Sequence, residues 1–247
     1  MLKLKTISIK TQLYMFLFSF LAFISFQERS LNSISKGIIA VAVAVLLDSS
    51  IIYIREKRLR ITESSIITGL IIGFVLSTDM IWWVFVLSSF IAIMSKHIIR
   101  YKNKHIFNPA AAGIFSTILI TNGYTQWKGA YDLAIIIPFG LYFAFKIKKL
   151  LLVFIYFIIS LLFYSVETNF DQASAIDLIL YANYFFMLIM LTEPKTTPYK
   201  KKLTVIVSAV IAISSFLLYL MNFPYDAILP ALLIGNLVFW ILNHLKK

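Results

Sequence analysis

Few side chains in this sequence can do proton, ion or electron chemistry, and most stand at the ends of apolar runs. Cysteine is absent, which removes disulfides, thiolate metal sites and cysteine-ligated iron–sulfur clusters. The three histidines are His97, His105 and His244. Each sits beside a basic cluster or near the C-terminal end, so neither a membrane haem held by two histidines nor a metal centre is expected. His97 and His105 stay open as surface or quinone-site groups. Asp48 falls inside an apolar run, where a carboxylate is costly and either faces the bundle interior or reaches back to the interface. Glu193, in Thr192–Glu193–Pro194, ends a run. It reads as plain boundary solvation or as a proton-exchanging group beside a bound ring. Asp79 and Asp226 end runs at the opposite face, as interfacial acids or as an ion-entry vestibule. Asn183 and Asn236 lie in mid-run, where an amide needs an interhelical partner. Asp48, Asp79, Asp226 and Asn236 are thus the candidate ion pathway.

Asn108–Pro109 opens a short apolar run. Asparagine is a good N-cap, and proline in the first turn lacks only a donor that would be unpaired anyway. The pair reads either as a plain cap or as a helix amino end turned toward a phosphate, a flavin carbonyl or a semiquinone anion. The small residues from Ala110 to Gly113 suit close approach by a planar ring or by another helix.

The elements that must position these groups are membrane helices. Hydrophobic residues make up 60% of the 247 and charged residues 14%, with a mean hydropathy of +0.88. A soluble domain runs nearer ~45–50% apolar and ~25% charged, so lipid must cover this chain. The net charge of +12 does not indicate nucleic acid, because the basic residues form short clusters between apolar runs. Ten such runs lie near 11–27, 34–54, 62–78, 80–99, 107–122, 130–146, 149–166, 174–192, 203–221 and 226–244. The third and fifth are short and carry glycine, as broken helices do where backbone faces protein or a cavity. With a cytoplasmic N-terminus, alternation puts all but Arg29, Lys36 and Lys128 of the 23 lysines and arginines inside, as the positive-inside rule requires. Asp79, Asp132, Glu167, Asp171, Asp177 and Asp226 then fall outside. Lys3, Lys5 and Lys10 before an apolar run resemble a signal peptide, but no small-residue cleavage site follows, so the run is expected to stay as the first span. Ten spans in the cytoplasmic membrane, both termini cytoplasmic, form a single domain over 1–247. No water-soluble insert large enough for a catalytic head is visible. Trp82, Trp83, Trp127 and Trp240 match interfacial belt positions.

The stretches IITGLIIGFVLSTDM (66–80) and YFFMLIMLTEPKTTP (184–198) both close an apolar run with leucine, a hydroxyl residue and an acid. They end at opposite faces, which points to inverted repeats over 1–125 and 126–247; common helix-ending residues are the plainer explanation.

Around HIFNPAAAGI (105–114) the pattern resembles the FNPA motif of the RnfD/NqrB family, membrane subunits of ion-translocating ferredoxin:NAD and NADH:quinone oxidoreductase complexes. In order, ITGLIIGFVLSTDMIWW (67–83), MLTEPKTTP (190–198) and YDAILPALLIGN (225–236) are also similar to that family. The resemblance implies an all-α fold of ten transmembrane helices in two inverted five-helix repeats, like urea transporters. It also implies electron relay coupled to Na+ or H+ movement, beside other membrane subunits of a redox complex. Phe107, Asn108, Pro109, Gly113, Thr192, Glu193 and Pro194 are the residues it places at a cofactor. The family's threonine-bearing motif for covalent FMN is missing: the interval between runs five and six is only TNGYTQWKGAYD (121–132). Non-covalent flavin (FMN or riboflavin) or quinone is therefore the expected cofactor, with no covalent flavin. The competing reading is a passive channel or small-solute transporter of the same fold.

Overall fold

The apolar runs fold as helices because lipid offers the backbone no hydrogen bonds, so each segment must satisfy its own. The computed structural model describes residues 7–102, 104–169, 179–180 and 182–244. In chain order the helices are α1 (Ile9–Gln27), α2 (Asn32–Glu56), α3 (Glu63–Val75), α4 (Trp82–Ile98), α5 (Pro109–Thr121), α6 (Leu133–Lys146) and α7 (Leu150–Glu167). A π-helical segment (Phe186–Met190) follows, then α8 (Lys201–Leu220) and α9 (Ile228–His244). The eighth run, near 174–192, and the acids Asp171 and Asp177 lie partly or wholly outside the described residues, as do Lys3 and Lys5.

The chain is an all-helical, multi-pass membrane protein, but its runs are not equal spans. α1, α2, α7 and α8 are long and apolar enough to cross a membrane alone. α3, α4, α5, α6 and α9 are shorter. α3 and α5, both expected to be short, have 13 residues each, a rise of about 20 Å against a hydrocarbon core of about 30 Å. Large apolar side chains such as Phe26, Leu46 and Phe154 point outward, between 63% and 81% exposed. Lipid contact explains faces that water would not tolerate.

α3 stops at Val75 because Leu76 turns extended. Its freed carbonyl is not wasted: Val75 O accepts from Gln126 N at 2.8 Å and Trp127 N at 3.4 Å. Leu76 pairs with Thr125 in an antiparallel bridge, and Ser77 N donates to Tyr124 O. The loop after α5 thus returns to close the broken end of α3. Asn183 stands just before the helical turn that leads into the π-helical segment, and its Oδ1 accepts from Phe186 N at 2.9 Å. Asn183 is therefore a local cap at a helical start, not a mid-span amide seeking another helix.

Helix pairings recur along the chain. α2 packs on α3 and α4, and α4 on α5; α7 packs on α8, and α8 on α9; α1 meets α3 as α6 meets the π-helical segment. α5 against α9 joins the two sets. α2 and α3 approach backbone to backbone: a Cβ on Gly73 would lie 2.7 Å from Gly37 Cα, and one on Gly69 would lie 2.5 Å from Val41 Cα.

One face gathers the basic loops, since Arg55 meets His97 and Tyr101 meets His244. Between α4 and α5 that face carries a two-stranded hairpin, β1 (Arg100–Tyr101) and β2 (Lys104–His105), where sequence indicated only a charged loop. At the other face Lys128 is buried and bonds Glu28 at 2.5 Å and Ser33, while Lys36 donates to Thr78 O. Trp127 is also buried there rather than set in an interfacial belt, its indole donating to Asp226. Replacing Gly73 with valine should force α2 from α3 at a cost of about 1–3 kcal/mol, read as a lower unfolding midpoint in detergent.

Candidate functional site

The hairpin delivers the chain to α5. Ile106 N donates to Ile99 O across it, and Asn108 takes an extended conformation as N-cap, its Oδ1 accepting from Ala111 N at 3.0 Å. Pro109 occupies the first turn. Asn108 also reaches sideways. Its Nδ2 donates to Met190 O at 3.3 Å, and its backbone N–H donates to Asn236 Oδ1 at 2.8 Å. Asn236 Nδ2 in turn donates to Thr196 O at 3.1 Å. Asn108, Asn236 and Thr196 are all buried, so three polar residues hold the start of α5, the middle of α9 and the broken end of the π-helical segment together. The amide group of Asn108 is engaged within the protein. It is a cap.

Glu193 lies on the same junction. Its Oε1 pairs with His105 Nε2 at 2.8 Å, and Oε2 accepts from Thr196 Oγ1 at 3.1 Å. A carboxylate oxygen accepts, so Nε2 of His105 carries the proton in this bond. His105 is 5% exposed, which makes it part of the interior and not a surface group. Thr192 bonds back to Leu188 O at 2.9 Å.

Above these residues sits a cleft of about 130 Å³. Its walls are the start of α1 with Lys10, the first turns of α3 from Ser64 to Ile71, Asn108–Ala110, Phe143 of α6 with Ile147 just after it, Leu188 and Ile189, and Thr192–Lys195. Phe74, Phe185 and Phe186, all fully buried, come in the next turn of α3 and of the π-helical segment. The Phe74 and Phe185 rings lie 4.9 Å apart.

The structure thus brings together Asn108, Pro109, Thr192, Glu193 and Pro194. It leaves out Phe107 and Gly113. Gly113 faces α4 instead, where a Cβ would press on Ser88 O and Ala92. The four ion-pathway residues do not share one site. Asp48 is fully buried, bonding Lys96 at 2.9 Å, His97 Nε2 at 2.7 Å and Thr62 at 2.5 Å. Arg55 donates to His97 Nδ1 at 3.2 Å, which leaves the ring proton on Nε2, toward Asp48. Asp226 caps α9 through Ile228 N at 2.9 Å and accepts from Thr125 at 2.7 Å. Asp79 accepts from Tyr124 OH at 2.9 Å. Asp79 and Asp226 stand at the face opposite Glu193, and Asn236 belongs to the junction with Asn108. Among the described residues no three histidine, aspartate or glutamate side chains are grouped to hold a metal ion.

Sequence reading missed Lys149 and Lys10. Lys149 is 1% exposed; its Nζ donates to Thr197 O at 2.9 Å and Pro198 O at 2.8 Å and lies 3.5 Å from the centre of the Tyr199 ring. In the sequence both are ordinary members of basic clusters, and no local signal marks them.

A bundle with outward apolar faces, two helices broken inside it and a small cleft at one broken end is a multi-pass membrane protein. The chain belongs to the NQR2, RnfD, RnfE family, whose model matches residues 2–136. That match contains the FNPA stretch and ends before the LTEP stretch. Comparison with curated proteins finds no match.

Asn236→Leu would leave Asn108 N–H and Thr196 O buried without partners. The expected cost is about 1–3 kcal/mol, seen as a lower thermal midpoint in detergent. An unchanged midpoint would mean that these bonds do not hold the junction.

Proposed function

We propose that this chain is an electron-relaying membrane subunit of a redox-driven, ion-translocating complex. It would work beside other membrane subunits and move Na+ or H+ as electrons pass. The observation that carries this reading is the convergence of the FNPA and LTEP stretches on one cleft, 82 to 88 residues apart in sequence. Family membership supports it.

The cleft of about 130 Å³ is close to the ~150 Å³ cavity that takes a benzene ring, which favours a quinone head over the three fused rings of a flavin. Ile71, Ala110, Phe143 and Leu188 supply apolar walls for such a ring. Lys10 and Lys195 place positive charge near its oxygens, where reduction builds negative charge. Glu193, held by His105 and Thr196, is the group that would exchange a proton.

The recurring pairings and the two broken ends, one at each face, favour two inverted five-helix halves. The gathering of lysines and arginines on one face favours that face, and both termini, being cytoplasmic. A passive conduit is the competing reading. Phe74, Phe185 and Phe186, fully buried in the elements that wall the cleft, weigh against it, since a conduit needs a continuous path.

Three outcomes are expected. Protein purified from its own membranes should yield quinone on solvent extraction, and Asn108→Leu or Glu193→Ala should lower that yield several-fold while inserting normally; full yield from both variants would sink the quinone reading. Denatured protein on a gel should show no flavin fluorescence. Single cysteines at Lys57 and Lys200 should resist a membrane-impermeant label in intact cells, and labelling of either would reverse the orientation.

A further inference from the structure

The basic face holds a second recess, between the β1–β2 hairpin, the loop after the π-helical segment and the last turns of α9, with a volume of about 370 Å³. Lys102, Lys104, Lys195 and Lys200 line it, and no aspartate or glutamate does. Among the described residues none of these four lysines has a salt-bridge partner. Glu193 pairs with His105 and Thr196 and, among the described residues, forms no salt bridge with the four lysines. Burial, and after it the nearby Lys10 and Lys96, pull the Lys195 amine below the usual lysine range, against the opposing pull of Glu193 and Asp48. Like charges gathered around a concave space with so little opposing charge repel one another, and an anion placed there relieves the repulsion.

The rest of the recess is aromatic and apolar. The Tyr101 ring lies edge-on to Trp240 at 5.9 Å and to His244 at 4.6 Å. His244 Nδ1 donates to Trp240 O at 2.7 Å. Phe239 and Leu203 add an apolar wall. Four lysines and an apolar, aromatic flank are what a phosphate carried on an apolar body would find complementary. The position at the membrane end of α9 suits a headgroup, since basic pockets beside transmembrane helices take anionic lipid heads.

We propose that this recess binds a phosphate-bearing anion, a phosphodiester lipid headgroup or a free phosphate compound, held by Lys102, Lys104, Lys195 and Lys200. The assignment does not rest on the redox reading of the cleft.

Native mass spectrometry of the full chain in detergent tests it, offering phosphatidylglycerol, phosphatidylcholine or inorganic pyrophosphate. Phosphatidylglycerol should be retained over phosphatidylcholine, and K104Q/K200Q should weaken that retention about thirtyfold, from the contribution of each lysine at a lipid surface. Lys104 and Lys200 are exposed, so this variant keeps its fold. K57Q/R58Q removes equal charge outside the recess and should retain lipid like the wild type. Phosphatidylglycerol retention that survives excess pyrophosphate assigns the recess to lipid. Pyrophosphate that binds and displaces the lipid assigns it to a free phosphate compound, and either result supports the site. Equal retention of the two lipids without pyrophosphate binding overturns the proposal. So does K104Q/K200Q behaving as wild type, or K57Q/R58Q losing retention equally.

Discussion

Ending a helix inside a membrane protein leaves carbonyls with nothing to accept from, and this constraint organises the chain. In hydrocarbon each such group costs several kcal/mol unless protein supplies a donor. α3 stops at Val75, and its carbonyl is met by Gln126 and Trp127 from the loop after α5. The π-helical segment stops near Met190, and the carbonyls of Met190 and Thr196 are met by Asn108 and Asn236. These donors come from distant elements, so closing either break also fixes how elements far apart in the chain lie together. The cleft exists because a broken end leaves space that a continuous helix would fill.

Charge follows the same logic. Lipid penalises any isolated ion, so the charged side chains that turn inward do so with partners. Asp48 carries Lys96, His97 and Thr62, and Lys128 carries Glu28 and Ser33. Lys128 was one of the few basic residues that sequence placed on the outer face. Its burial shows why it stands apart from the loop-charge bias: it is a structural ion, not an exposed loop charge.

What could be read from sequence was what short-range physics decides. Asn108 followed by proline and alanines specifies a capped helix start without help from the rest of the fold, and apolar runs bounded by charge specify helices in lipid. The shortness of α3 and α5 showed in their glycines and hydroxyl residues. Contacts over long separations were not legible. Nothing around His105 announces Glu193, 88 residues on, and nothing in KIKK separates the buried Lys149 from its exposed neighbours. Trp127 looked interfacial because a tryptophan near a helix end usually is; only the fold reveals that Asp226 draws it inward. The hairpin at 100–105 escaped because its strands are two residues each, too short for alternation to register.

Lys149 has a mechanical consequence. Its amine spans from the turn between α6 and α7 to the carbonyls of Thr197 and Pro198, beneath the ring of Tyr199. It therefore works as a strap from that turn to the segment bearing Glu193, and it is anchored on peptide dipoles and not on a counter-ion. Dissolved salt weakens exposed ion pairs far more than buried contacts. The strap should keep its tension from dilute to concentrated salt, so that a tilt of α6 or α7 is felt at the mouth of the cleft under either condition.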